Sequence, residues 1–215
     1  MSCIYYDSPQ GSEKWFLDRC GAATGSKFTE CRGKYKSGKN AGQFLKDARD
    51  YAFKLAYERI TGSLLDDPEF TPWQARRGNE LEPQARLDYE ERKGVLVEQA
   101  GLAKTEDGLF GASVDGLVDD DGQIEIKCFL SPTKLSSILL SGDIADCMDQ
   151  VQGGLWITGR KWCDFILYCP ALVKIGKDLT VIRVMRDDNY IAELEKDLLE
   201  FNTLVCEYET KLRSK

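Results

Sequence analysis

The sequence predicts an α/β domain, a mixed sheet covered by helices, and three observations predict it. Helical periodicity and short β-rich runs alternate in the order helices, strand hairpin, helix, two strands, helix. The 215 residues suit one domain whose core needs no disulfide or structural metal. No repeat, low-complexity stretch or Pro/Ser-rich linker divides the chain, so residues 1–215 are expected to form a single domain.

Residues 12–20 (SEKWFLDRC) read as a short helix, with Ser12 as its N-cap and Gly21 just past its end. Residues 31–39 (CRGKYKSGK) form a basic loop punctuated by glycine. An amphipathic helix is expected at about 40–61, where Phe44, Ala48, Tyr51, Ala52 and Leu55 recur at helical spacing and Gly62 closes the run. A second helix runs from about Pro72 to Lys93, with proline in its first turn, where no donor is lost. Residues 109–118 and 123–129 read as strands joined by the acidic turn Asp119-Asp120-Asp121-Gly122. A helix is expected at 143–158 and strands at 162–168 and 179–185. A C-terminal helix at about 187–213 carries Ile191, Leu194, Leu198, Phe201 and Val205 on one side.

Composition excludes several chemistries. No histidine is present, which removes His-based metal sites, Ser-His-Asp triads and histidine general bases. Catalysis must then run on carboxylates, lysine, cysteine or a metal held by oxygen. A net charge of -7 opposes a general grip on nucleic acid. A nuclease escapes that objection if its acids cluster at a metal site and its basic residues group elsewhere. No apolar run approaches the roughly 18 residues of a membrane span. The opening MSCIYYDSPQGSEKW has no export pattern. A cytoplasmic location follows as an expectation, with the eight cysteines as reduced thiols.

The segment that carries chemistry is GASVDGLVDDDGQIEIKCF, residues 111–129. Strand alternation puts Glu125 and Lys127 on one face and Ile126 on the other. If 123–129 pairs antiparallel with 113–118, Asp115 reaches the same patch. Two carboxylates beside an ammonium make a hard-oxygen site suited to Mg²⁺. The plain alternative is turn chemistry at two Asp-Gly pairs and a solvent-facing Glu-Ile-Lys strand. A calcium loop at Asp119–Asp121 fails because the ligand ladder is out of register. An iron–sulfur cluster fails because the cysteines are not grouped in fours.

An Asp, about ten residues, then Glu-x-Lys resembles the core of the restriction-endonuclease-like, or PD-(D/E)XK, nucleases. Three flanking segments narrow the resemblance to the lambda-type phage exonucleases, the alkaline exonucleases associated with viral recombinases. QGSEKWFLDRCGAATGSKFTE (10–30) is similar to the family's Gly-Ser-x-x-Trp-x-x-x-Arg…Thr-x-Ser opening. RRGNELEPQARLDYEERKGV (76–95) is similar to its Gly-x-x-x-Glu helix, and DCMDQVQGGLWITGRKWCDFILYCP (146–170) to its Gln-x-Gln helix and following strand. The chain departs at Val114, where the family usually has proline.

The resemblance implies a restriction-endonuclease-like mixed central sheet flanked by helices, and roles for named residues. Asp115, Glu125 and the carbonyl of Ile126 would hold two Mg²⁺ ions, with Mn²⁺ as the alternative, and Lys127 would position the attacking water. Glu82 would add a carboxylate from its helix, and Gln152 would support the nucleophile or a phosphate. Arg19, Ser26 and Ser113 would receive a terminal 5′-phosphate. The loop cations Arg32, Lys34, Lys36 and Lys39 would follow the duplex backbone, with a solvated loop as the plain alternative.

The activity implied is processive 5′→3′ digestion of linear double-stranded DNA with 5′-phosphorylated ends, leaving 3′ tails for recombination. The resemblance also implies a homotrimeric ring, a single-strand-annealing partner and a phage or prophage origin in a bacterial host. The alternatives are a restriction-type or structure-specific endonuclease on the same core and a catalytically silent DNA-binding module.

Overall fold

The computed structural model of the chain describes residues 3–65 and 73–214, with residues 73–75 described by backbone alone. The N-terminal part comprises β1 (Cys3–Tyr6), α1 (Glu13–Arg19), β2 (Ala23–Thr24), α2 (Phe28–Cys31) and α3 (Lys46–Thr61). Then come α4 (Trp73–Lys93), β3 (Val97–Glu98), β4 (Leu102–Thr105), β5 (Phe110–Ala112), β6 (Gly116–Val118) and β7 (Gly122–Lys127). The chain continues through α5 (Pro132–Ser141), α6 (Met148–Thr158), β8 (Trp162–Tyr168), β9 (Leu179–Met185) and α7 (Asp188–Arg213).

The strands form two mixed sheets rather than one. Four strands run in the order β1-β4-β5-β2, and five in the order β3-β6-β7-β8-β9. The expected strand 109–118 supplies both: it leaves the first sheet after Ala112 and enters the second at Gly116. Gly116 makes that entry sterically possible, because a Cβ there would lie 2.1 Å from Val97 Cγ1. Its partner β7 pairs antiparallel with β6 and parallel with β8. A parallel pair needs a crossover, and α5 and α6 supply it.

Three cores hold the layers together. Ala85 and Tyr89 of α4 pack on one face of the five-stranded sheet, against Ile124, Ile126 and Ile166. The other face meets Ile138 of α5 and Val151 and Leu155 of α6 through Phe165 and Leu167. A third core joins α3, α6, α7 and the four-stranded sheet. In α7 the expected stripe Ile191, Leu194, Leu198, Phe201 and Val205 is buried throughout, each side chain contributing about 1.5–3 kcal/mol of transfer free energy.

Local expectations and outcomes differ at a few points. Helix α1 ends as expected: Ser12 Oγ accepts from the Trp15 N–H at 3.2 Å, and Gly21 takes φ +74°. Helix α3 begins at Lys46 instead of near 40, because Gly38 and Gly42 take positive φ and Lys34 bridges to Phe44. Pro72 lies outside the described residues. Helix α6 starts at Met148 after a 3-10 turn at Ala145–Cys147. Strands β8 and β9 have the expected bounds, whereas β1, β2, α2, β3, β4 and α5 had no sequence-level assignment. All eight cysteines are free, and no helix among the described residues is long and apolar enough to cross a membrane.

Candidate active site

The hairpin β6–β7 builds the centre. Asp115 sits just before β6, where its N–H donates to the Ile124 carbonyl at 3.2 Å. Its Oδ2 accepts from the Ile126 N–H at 2.6 Å. This clamps the carboxylate against β7, beside Glu125. Lys127, two residues on, places Nζ 2.7 Å from Glu125 Oε1. The antiparallel pairing that the sequence required is therefore present, and the three side chains share one patch.

Helices close the patch from both sides. Gln150 of α6 bridges the pair: its Nε2 donates to Glu125 Oε1 at 2.7 Å, and its Oε1 accepts from Lys127 Nζ at 3.0 Å. Glu82 of α4 comes from the other side, with Oε1 accepting from Arg86 Nη2 at 2.6 Å. It lies one residue before Pro83, which interrupts the hydrogen-bond ladder of α4.

The electrostatics of this cluster are those of acids crowded without enough cation. Burial pushes the Asp115 carboxyl well above its ordinary range, and repulsion from Glu125 and Glu82 adds to the rise. Burial also raises Glu82, against the pull of Arg86 and with the push of Glu125. Burial disfavours the charge on Lys127, but Glu125 and Asp115 outweigh it and hold the ammonium protonated.

Such a cluster fits a divalent cation on chemical grounds. Asp115 and Glu125 offer hard oxygens, and the Ile126 carbonyl is adjacent in sequence. Among the described residues no group of three or more His, Cys, Asp or Glu side chains could close around a metal. A cation here would complete its shell with the carbonyl, water and substrate oxygens, as Mg²⁺ characteristically does.

A cleft of about 900 Å³ runs past these residues and is lined by Arg19, Ser26, Ser113, Glu82, Asp115, Glu125, Ile126 and Lys127. The expected terminal-phosphate residues and the expected metal residues thus face one space. Trp15 organises the phosphate end. Its Nε1–H donates to Ser113 Oγ at 3.0 Å, and its ring lies 4.1 Å from the Arg19 guanidinium carbon. Arg19 Nη2 donates to Thr24 Oγ1 at 2.8 Å, which fixes the guanidinium without neutralising it.

Two expectations need correction. Gln152 is not at the site: it is 1% exposed, donates to the Met185 carbonyl at 2.9 Å and accepts from the Asp187 N–H at 3.0 Å. The helical turn of 200° between the two glutamines makes Gln150 the one that faces Glu125. Nothing in the local sequence reveals this, because α6 is buried on nearly every side and has no solvent face to set its phase. In the basic loop, Arg32 is paired to Asp149 and Asp197, and Lys34 lies 2.6 Å from Glu200. Both tie the loop to α6 and α7. Lys36 and Lys39 are exposed, and neither lines the cleft. Gln150 was expected to face away from the site, and its bonds to Glu125 and Lys127 correct that; Thr24 and Arg86 carried no role from sequence, since the sequence does not show which side chains they meet.

Comparisons with known proteins address the family and the fold. The model of the YqaJ-like viral recombinase domain matches residues 14–161. The crystal structure of the alkaline exonuclease LHK-Exo from Laribacter hongkongensis is 34% identical with a TM-score of 0.77, over 94% of this chain and 97% of that one. LHK-Exo in complex with dAMP is 33% identical with a TM-score of 0.76, over 93% and 94%. A phage related exonuclease from Haemophilus somnus 129PT, at 18% identity and TM-score 0.63 over 89% and 94%, is alike in fold. No curated protein matches the chain. The resemblance read from the motifs is thereby borne out: the chain belongs to the family of the YqaJ-like viral recombinase domain, with the fold of the alkaline exonucleases.

Proposed function

We propose that the chain is a divalent-metal-dependent DNA exonuclease that digests linear duplex from 5′-phosphorylated ends. The observation that carries this reading is the single cleft lined by Asp115, Glu125 and Lys127 together with Arg19, Ser26 and Ser113. A phosphodiester placed at the acids would share the cleft with the guanidinium of Arg19. The family membership and the likeness to LHK-Exo, an alkaline exonuclease that has been seen with dAMP, support the same reading.

Asp115, Glu125 and the Ile126 carbonyl would hold the cation, two per site with Glu82 beside the second. A bound Mg²⁺ or Mn²⁺ supplies charge stabilisation at the phosphoryl oxygens and acidifies water. Lys127 donates to the attacking water or the phosphoryl oxygen, and Gln150 holds Lys127 and Glu125 in register. Arg19 and the hydroxyls of Ser26 and Ser113 bind the terminal monoester, whose charge of nearly two favours it over a hydroxyl end. After each cut the new end again carries a 5′-phosphate, so recapture sets both 5′→3′ direction and processivity. An acidic chain with a net charge of -7 has little general grip on DNA, so continuous digestion calls for a ring, which we take to be a homotrimer. Handing its 3′ tails to a single-strand-annealing protein and working in the bacterial cytoplasm fit the same reading.

The test is incubation of the protein with linear and covalently closed duplex, with Mg²⁺ or with chelator, and with 5′-phosphate or 5′-hydroxyl ends. Mononucleotides should appear from the linear, phosphorylated substrate with Mg²⁺ alone. Cutting of the closed circle would identify an endonuclease instead, and equal rates on the two ends would remove the phosphate assignment.

A further inference from the structure

The catalytic cleft has a direction. Arg19, Glu82 and Asp115 line both the cleft and a neighbouring chamber of about 640 Å³, whereas Glu125, Lys127, residues 128–131 and Lys134 line the cleft alone. Strand β7 runs from Glu125 through Lys127 into that second group, which continues to the first turn of α5. A strand held by its terminal 5′-phosphate at Arg19 and cut at the acids therefore leaves toward α5.

The cations of the cleft are Arg19, Lys127 and Lys134, and they stand differently. Lys127 is largely buried and paired with Glu125. Arg19 lies at the opposite end, beside Thr24 and Trp15. Lys134 is exposed and has no carboxylate within ion-pair distance among the described residues. Its contact is the ring of Phe129, whose centroid lies 4.7 Å from Nζ. That ring packs in turn against the core formed by Ile138, Val151 and Phe165, so the ammonium rests on an anchored surface and keeps its charge. Lys134 and Lys127 also share a neighbourhood: burial raises the Cys147 thiol, and both ammonium groups pull it down. Beside Lys134, Ser131 stands at the cap position of α5 without making the capping bond, which leaves its hydroxyl to solvent. An exposed ammonium and hydroxyl with no carboxylate between them give the fold little, and they offer an anion at the cleft exit a charge-assisted partner.

We propose that Lys134, with Ser131, holds the first phosphate on the 3′ side of the scissile bond, in the strand still to be cut. The inference rests on the exonuclease reading, because that reaction sets which phosphate lies there. A diester phosphate carries one charge, which a lone ammonium can meet, whereas the doubly charged terminal monoester is given a guanidinium and two hydroxyls. With a net charge of -7 the chain attracts duplex weakly overall, so a single unpaired cation at the exit has a measurable share of the grip. Each advance by one nucleotide brings the next phosphate to the same ammonium, and the contact is remade without a change in the protein.

The test couples a change in the protein to a change in the substrate. A 5′-phosphorylated duplex with one neutral methylphosphonate at that phosphate is compared with the all-phosphate duplex. Release of the first nucleotide in Mg²⁺, at subsaturating protein, is followed for wild type, Lys134→Ala and Lys134→Arg. The methylphosphonate or Lys134→Ala alone should slow release about five- to tenfold, the size of one charge-assisted contact at an exposed site. The two together should slow it no more than either alone, because the same contact is lost once. Lys134→Arg should restore both the rate and the sensitivity to the methylphosphonate. In chelator, Lys134→Ala should also reduce the slope of log affinity for duplex against log salt by about one. Effects that multiply in Lys134→Ala, or a salt slope equal to that of wild type, would make Lys134 a solvated surface cation and overturn the proposal. No Mg²⁺-dependent release by wild type would sink the exonuclease reading and this inference with it, whereas release with multiplying effects would sink the role of Lys134 alone.

Discussion

Asp115 and Asp164 flank the same strand, β7, and both are buried, at 8% and 1% exposure. Their surroundings differ. Asp164 on β8 is gripped by Arg183 through both carboxylate oxygens at 2.8 Å and receives the Tyr89 hydroxyl at 2.7 Å. Burial would raise its pKa, but the hydrogen bonds from Arg183 and Tyr89 overcome that and hold the carboxyl below its ordinary value. Asp115 has one backbone N–H and two neighbouring acids, and it stands well above its ordinary value. One aspartate is satisfied within the fold; the other is left with a demand that a cation would meet. Perturbation of this unsatisfied kind marks a functional site more reliably than burial does.

The largest expected effect breaks the functional side of this comparison. Lys127→Ala should lower nucleotide release by at least a hundred- to a thousand-fold, the order expected when a preorganised donor to a transition state is lost. Its far-UV circular dichroism should remain that of the folded protein. Near-normal release would remove Lys127 from the chemistry.

The satisfied side should break differently. Arg183→Met strands a buried carboxylate, which costs roughly 3–5 kcal/mol for a fully buried pair. The Arg183 side chain is half-exposed and solvent-screened, so the loss should fall at or below the lower end of that range. Urea denaturation measures it. Because the Asp164 pKa is lowered on folding, its stabilisation is complete above the unfolded value near 4 and is lost as pH falls through the folded value. The variant should therefore lose less stability than wild type on acidification below pH 4. An equal loss would mean that the pair does not set the acid limb.

The two glutamines of α6 sharpen the contrast within a single helix. Gln150→Ala should cut activity by at least about tenfold, since even one hydrogen bond to a charged partner is worth roughly 1.5–3 kcal/mol, with little change in melting temperature. Gln152→Ala should do the reverse. It leaves the Asp187 N–H and the Met185 carbonyl unpaired, at about 1–3 kcal/mol of stability, with the rate per folded molecule nearly intact. Activity and melting curves on both proteins decide, and the opposite pattern would reinstate Gln152.

The smallest effect has an unusual sign. Asp115→Asn removes a charge that burial and two acids disfavour, while the amide oxygen can still accept from Ile126. In chelator near pH 7 the variant should be more stable than wild type, because the charge it removes is one that burial and the neighbouring acids disfavour. Mg²⁺ should raise the melting temperature of wild type and not of the variant. A destabilised variant in chelator would show that Asp115 is held as a structural group, like Asp164.

Much of this was legible in the chain itself. Cap residues placed α1, and periodicity placed the buried stripe of α7, which shows one face to water and one to the core; β8 and β9 also kept the expected bounds, although β8 is buried almost throughout. The Asp, Glu-x-Lys spacing placed the acids and the lysine together, because strand alternation and antiparallel pairing leave little freedom over about ten residues. Neither rule reaches further. The division of residues 109–118 between two sheets follows from packing at Gly116 against Val97, far from it in the chain. The choice between Gln150 and Gln152 depends on the phase of a helix buried on almost every side. Arg32 and Lys34 read as free cations in sequence, yet their partners Asp149, Asp197 and Glu200 lie more than a hundred residues away. The sequence by itself determined which residue types can do this chemistry and put three of them on one hairpin. Only the tertiary structure decided which charges stay unpaired, because that depends on which distant segments arrive with a partner and which do not.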